Sequence, residues 1–140
     1  MKIRTDFVTN SSSSSFVAIV VHTKDGKTYS GEYNSGNNSM VGDEDFNLKQ
    51  KQFESFENCG QLIDEMFQWF KYTFGDSSLP DEFDYSDGDL EKIRGIAMSD
   101  VKTINISSMI DYEEFAYGSD ITYNCETKKR TRVNTGYAFE

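Results

Sequence analysis

The chain contains a single histidine, His22, and two cysteines, Cys59 and Cys125. An imidazole beside a thiol is the minimum needed for a base-activated nucleophile. Cys59 lies near the start of a predicted helix, where the helix dipole favours a thiolate. His22 ends an apolar strand, and no pattern in the chain brings it to Cys59. Both therefore read as structural. One histidine and two distant cysteines do not complete a tetrahedral zinc site. No glycine loop that cradles phosphate and no nucleophile-elbow serine occurs. No catalytic residue, no metal and no cofactor is expected.

Carboxylates are the one abundant reactive group. Asp81-Glu82-Phe83-Asp84-Tyr85-Ser86-Asp87-Gly88-Asp89-Leu90-Glu91 resembles a calcium loop in composition. Calcium loops place oxygen ligands at alternate positions and glycine at the sixth. With Gly88 sixth, the first and third ligands would be Phe83 and Tyr85, neither a carboxylate, so that pattern fails. The segment reads instead as a solvated acidic loop, with Asp89 capping a following helix. Glu113 and Glu114 could do acid–base work if buried together. Adjacent strand residues point to opposite faces, which separates them.

Positioning these groups requires a folded core. The 140 residues include 11 Phe and 8 Tyr, too many aromatics for a disordered acidic chain. A length of 140 residues suits one domain, expected over 1–140. Residues 1–15 are expected to form a loosely ordered serine-rich arm. Phe16–Val21 reads as a buried strand. Asp25-Gly26 predicts a type I′ hairpin turn, with Lys27 to Asn34 as the partner strand. Asp45 to Phe53 reads as a third strand. Phe56 to Phe74 is the clearest helix: Asn58 is its expected N-cap, Leu62, Ile63, Met66, Phe67, Phe70 and Phe74 its apolar stripe, and Gly75 its C-cap. Trp69 widens that stripe, and its aromatics, Tyr72 included, read as core. A second helix follows Asp89, with Leu90, Ile93, Ile96 and Ala97 apolar. Val101 to Ile110 alternates as a strand with Ile104 and Ile106 inward. Phe115 to Glu126 and Arg130 to Phe139 form a second hairpin across Thr127-Lys128-Lys129, whose basic residues discourage edge pairing. The order of elements predicts an α+β fold: an antiparallel sheet of about five or six strands, built from N- and C-terminal hairpins, with two helices packed on one face.

Charge is distributed unevenly. The formal net charge is -10, and mean hydropathy is -0.63. Residues 1–35 and 101–140 are close to neutral, whereas residues 36–100 hold 15 acids against five bases. An excess of acid disfavours nucleic acid and anionic membrane surfaces. The longest apolar run, Phe16–Val21, is too short for a membrane span or the core of an export signal. A cytoplasmic protein with reduced cysteines is therefore expected.

One segment carries a resemblance. Lys2-Ile3-Arg4-Thr5-Asp6-Phe7-Val8-Thr9-Asn10 followed by Ser11–Ser15 and Phe16 resembles a serine-run signature at the start of many dissimilar, uncharacterised bacterial and phage proteins. The resemblance implies such a source and no particular fold or activity. The run reads as a turn-forming connector, or as a processing or modification signal.

These observations favour a non-enzymatic interaction or inhibitor-like module that binds a basic protein partner through an acidic central face. Asp81, Glu82, Asp84, Asp87, Asp89 and Glu91 are the expected contact residues. The competing reading is an enzyme with an unrecognised carboxylate site.

Overall fold

A computed structural model describes residues 16–34, 46–74, 85–111, 115–134 and 137–138. The fold is α+β. Its elements in order are β1 (Phe16–Thr23), β2 (Thr28–Asn34), α1 (Gln50–Ser55), α2 (Cys59–Phe74), β3 (Tyr85–Gly88), α3 (Leu90–Arg94), a 3-10 turn (Met98–Asp100), β4 (Val101–Asp111), β5 (Phe115–Asn124), β6 (Lys129–Asn134) and β7 (Tyr137–Ala138). One antiparallel sheet runs β3-β2-β1-β4-β5-β6, and β7 adds to the other stretch of β5. The Ser11–Ser15 run, Gly75 and the Glu113–Glu114 pair lie outside the described residues.

Strand alternation decides which face meets the helices. Val17, Ile19 and Val21 of β1 align with Ser108, Ile106 and Ile104 of β4, and those align with Ser119, Ile121 and Tyr123 of β5. All nine are buried. Against this face pack Phe53 of α1, Leu62, Ile63, Met66 and Phe70 of α2, and Leu90 and Ile93 of α3. Fully burying each large apolar side chain contributes about 1.5–3 kcal/mol, so this layer holds the sheet and helices together. Tyr33 of β2 stacks on Phe70 and tilts against Phe67, with centroids 5.8 and 5.4 Å apart. Ile104 and Ile106 point inward as their alternation predicts.

The β1–β2 turn differs from the type I′ geometry expected of Asp25-Gly26. Type I′ needs positive φ at both central residues, but Lys128 is the one non-glycine with positive φ among the described residues. The Gly26 N–H instead donates to the Thr23 carbonyl (3.1 Å), and the Thr23 N–H donates to the Lys27 carbonyl (2.9 Å). Gly26 takes the left-handed position at φ 89°. This is a turn over Lys24-Asp25 closed by a glycine bulge, the three-residue hairpin loop.

The expected third strand over Asp45–Phe53 is not one where it is described. Phe46–Lys49 belongs to neither helix nor strand, and α1 begins at Gln50. Its polar groups are claimed by side chains of the neighbouring sheet. Ser119 Oγ donates to the Phe46 carbonyl (3.1 Å), while Arg130 Nε donates to the Leu48 carbonyl (2.5 Å) and its NH2 to Asn47 Oδ1 (2.6 Å). Gln52 Oε1 then accepts the Lys49 N–H (2.9 Å) and starts the helix. Phe53 lies flat on Tyr123, centroids 4.5 Å apart and planes 7° apart. The turn between β5 and β6 begins earlier than expected, at Cys125, because Asn124 Oδ1 accepts the N–H groups of Glu126 and Thr127 (2.9 and 3.0 Å).

Asn58 caps α2 as its side chain predicts, although the helix starts at Cys59 rather than Phe56. The Gln61 N–H donates to Asn58 Oδ1 (3.2 Å), and Gln61 Oε1 accepts from the N–H groups of Glu57 and Asn58 (2.5 and 3.4 Å). This reciprocal pair satisfies the orphan donors of the first turn. The Cys59 N–H donates to Ile96 O (2.8 Å) and the Met98 N–H to Glu57 O (3.0 Å), tying the start of α2 to the segment beyond α3.

Candidate functional site

The expected acidic site is partly described. Asp81, Glu82 and Asp84 lie outside the described residues. Asp87 sits on β3 in register with Glu32 of β2. Asp89 precedes α3 at the N-cap position, but its side chain makes no cap hydrogen bond, contrary to the expected role. Its carboxylate stands 3.9 Å from Lys92 Nζ. The cap contact that remains is backbone: the Ile93 N–H donates to the Asp89 carbonyl (2.9 Å). Glu91, 92 % exposed at its side chain, stands 3.9 Å from Arg94 Nε. Arg94 also donates to Asp64 Oδ1 of α2 at 2.7 Å, and Asp64 is 63 % exposed at its side chain. The Asp64 hydrogen bond raises the pKa of Arg94. α2 and α3 thus bring Asp64 and Glu91 together around Arg94, while Asp89 contacts Lys92 instead.

The thiol and imidazole are not brought together. His22 is exposed, on the face of β1 opposite Val21, and its Nδ1 lies 3.0 Å from Thr28 Oγ1. Cys59 is fully buried in the core cluster beneath the other face. Burial, with Cys125 adding to it, pushes the Cys59 thiol from its ordinary 9.0 up to about 12. That overrides the helix dipole, which alone would favour the thiolate. Burial also raises Cys125, opposed by nearby Lys128 and Lys24. Both cysteines are free thiols, and among the described residues no three His, Cys, Asp or Glu groups gather to hold a metal.

The topology assembles a second site that the sequence does not announce. Thr28, His22, Thr103, Asn124 and Lys129 form one cross-strand row over five strands. Just beyond it, the β1–β2 turn meets the start of β4. The Lys24 N–H donates to the Asp100 carbonyl there (2.9 Å), and the Cys125 N–H donates to the Lys102 carbonyl (2.9 Å). A surface cleft of about 420 Å³ opens at this end, lined by His22, Thr23, Lys24, Gly26, Lys27, Lys102 and Thr103. Its lining includes three lysines and the histidine and, among the described residues, no acidic residue. Asp25 belongs to the same turn, yet its carboxylate folds back onto the Thr23 hydroxyl and the Lys27 N–H. The Thr23 hydrogen bond chiefly lowers its pKa. Lys24 and Lys27 are far in sequence from Lys102, so no local motif joins them.

Glu32 is a further residue that sequence reading passed over. It is 1 % exposed, on the face opposite the helices, beside Ala18 of β1. The alternation of β2 was the available signal.

Compared with protein-family models, curated proteins and solved structures, the chain matches none. No helix among the described residues is long and apolar enough to cross a membrane.

Proposed function

We propose that this protein is a non-enzymatic binding module that takes a basic protein partner on its acidic central segment. The observation that carries the reading is the surface where α2 and α3 meet. Asp64 and Glu91 are exposed there around Arg94, Asp89 is half-buried beside Lys92, and the sequence stretch Asp76–Asp84 holds four further acids. Exposed ion pairs such as Lys92–Asp89 contribute about 0–1 kcal/mol, so a basic partner exchanges them easily. An acidic surface speeds encounter with a basic partner and makes association salt-sensitive.

The test is capture from the native host followed by identification of what is bound. The expected partner is basic, is retained at low salt and is released near about 0.5 M, where screening reaches only a few Å. Neutralising Asp81, Glu82, Asp84, Asp87, Asp89 and Glu91 to the corresponding amides should abolish capture of that same partner. Capture unchanged by neutralisation would overturn the reading.

A further inference from the structure

We propose that the cleft between the β1–β2 turn and the start of β4 binds a small phosphate ester.

The volume is the first argument. At about 420 Å³ the cleft falls within the about 300–1,000 Å³ typical of small-molecule sites. That space holds a phosphoryl group together with a small carbon skeleton.

The charge is the second. Lys24, Lys27 and Lys102 reach the cleft from two chain segments. Among the described residues none of the three lies within 4.0 Å of a carboxylate, since the ion pairs found involve Lys92 and Arg94. The cleft thus gathers three positive charges in a chain whose net charge is -10. A bound dianion offsets that charge, and a cleft with low-dielectric walls focuses the field that attracts it. Lysine suits phosphate as a mobile point charge.

The turn itself supplies the third argument. The one carboxylate in the hairpin loop, Asp25, is engaged by the Thr23 hydroxyl and the Lys27 N–H. It interacts electrostatically with Lys27 and is not among the residues lining the cleft. Gly26, at φ 89°, would have nothing within 4 Å of an added Cβ, so the loop tip leaves open space for a ligand. Thr103 and His22, paired across β4 and β1, add a hydroxyl and an imidazole at the floor. A hydroxyl can donate to a phosphoryl oxygen, which distinguishes this floor from a plain cationic patch.

The experiment follows backbone amides of the full chain by NMR during titration with ribose 5-phosphate. Inorganic phosphate, ribose and sodium chloride at matched ionic strength serve as comparisons. The expected result is saturable shifts confined to Thr23–Lys27 and Lys102–Thr103 with ribose 5-phosphate. Inorganic phosphate should bind the same amides more weakly, and ribose and chloride should leave them unmoved. Replacing Lys24, Lys27 or Lys102 singly with Gln should weaken binding roughly fivefold, as for an exposed charge contact. The triple substitution should remove saturation. Because these lysines are exposed, the variants are expected to fold, and their amide spectra verify it. A melting temperature that rises with ribose 5-phosphate, and no longer does so in the triple variant, gives a second readout. Shifts spread evenly over all lysines, equal shifts with chloride, or affinity unchanged in the triple variant would each overturn the proposal.

Discussion

Cys59 shows how burial decides the chemistry of a single residue. Its position at the first residue of α2 would suit a reactive thiolate, but a neutral thiol is the form its surroundings favour. Alkylation at pH 8 followed by peptide mapping should modify Cys125, which is half-buried, well before Cys59; the reverse order would contradict this assignment. The same burial ties stability to pH. The folded thiol titrates near 12 and the unfolded one near 9.0. The stability it contributes is therefore complete below pH 9.0 and is lost as pH rises toward 12. A Cys59→Ala chain should lose less stability over that window, measured by urea unfolding. Gly88 and Gly26 make a second pair of residue-level tests. Both hold positive φ, but a Cβ on Gly88 would lie 2.5 Å from Ser30 O and 2.6 Å from Gly31 Cα. A Cβ on Gly26 meets nothing. Gly26→Ala should cost about 1 kcal/mol from backbone strain alone. Gly88→Ala should cost more, because β3 must move away from β2. Equal costs in denaturant unfolding would show that the close approach is not limiting.

At the scale of elements, capping and aromatic contact explain where α1 and α2 begin. Asn58→Ala should cost about 1 kcal/mol by removing the N-cap acceptor, and amide exchange at Gln61 should accelerate. Phe53→Ala should cost about 3–5 kcal/mol by leaving a void against Tyr123. Cost under 1 kcal/mol would mean that α1 is not held by that ring. The elements also show what a sequence can and cannot convey. β1 was readable because Phe16–Val21 is apolar and β-branched. α2 was readable because its stripe repeats at helical spacing and Asn58 precedes it. Asp45–Phe53 reads as a strand because Phe46 and Leu48 alternate at strand spacing, although Phe53 falls out of that alternation. What excludes a strand from Phe46–Lys49 is distant: Ser119 and Arg130 take its polar groups. The Asp25-Gly26 signal located the hairpin but misjudged its loop by one residue, since only Gly26 needs positive φ. The run of acids from Asp76 to Glu91 is legible in the sequence, but Asp64, which α2 brings to Arg94, is not part of it. The cationic cleft was not legible, because its lysines meet only after β1 and β4 pair.

Across the whole molecule, strand pairing gathers basic residues at one end of the sheet. The β1–β2 turn, the start of β4 and the β5–β6 turn lie at one end and carry Lys24, Lys27, Lys102, Lys128 and Lys129, against Asp25, Asp100 and Glu126. The sequence between α2 and β3 holds Asp76, Asp81, Glu82 and Asp84 with no base among them. The net charge of -10 is therefore unevenly spread, with its excess of acid in residues 36–100. The acidic reading predicts a kinetic signature that contact-driven binding would lack. The association rate of the captured partner, measured at about 0.05 M and about 0.5 M salt, reports electrostatic steering directly. The native chain should associate at least about tenfold more slowly at the higher salt, with dissociation changing far less. The variant neutralised at Asp81, Glu82, Asp84, Asp87, Asp89 and Glu91 should associate slowly at both. A native rate that does not change with salt would contradict the account.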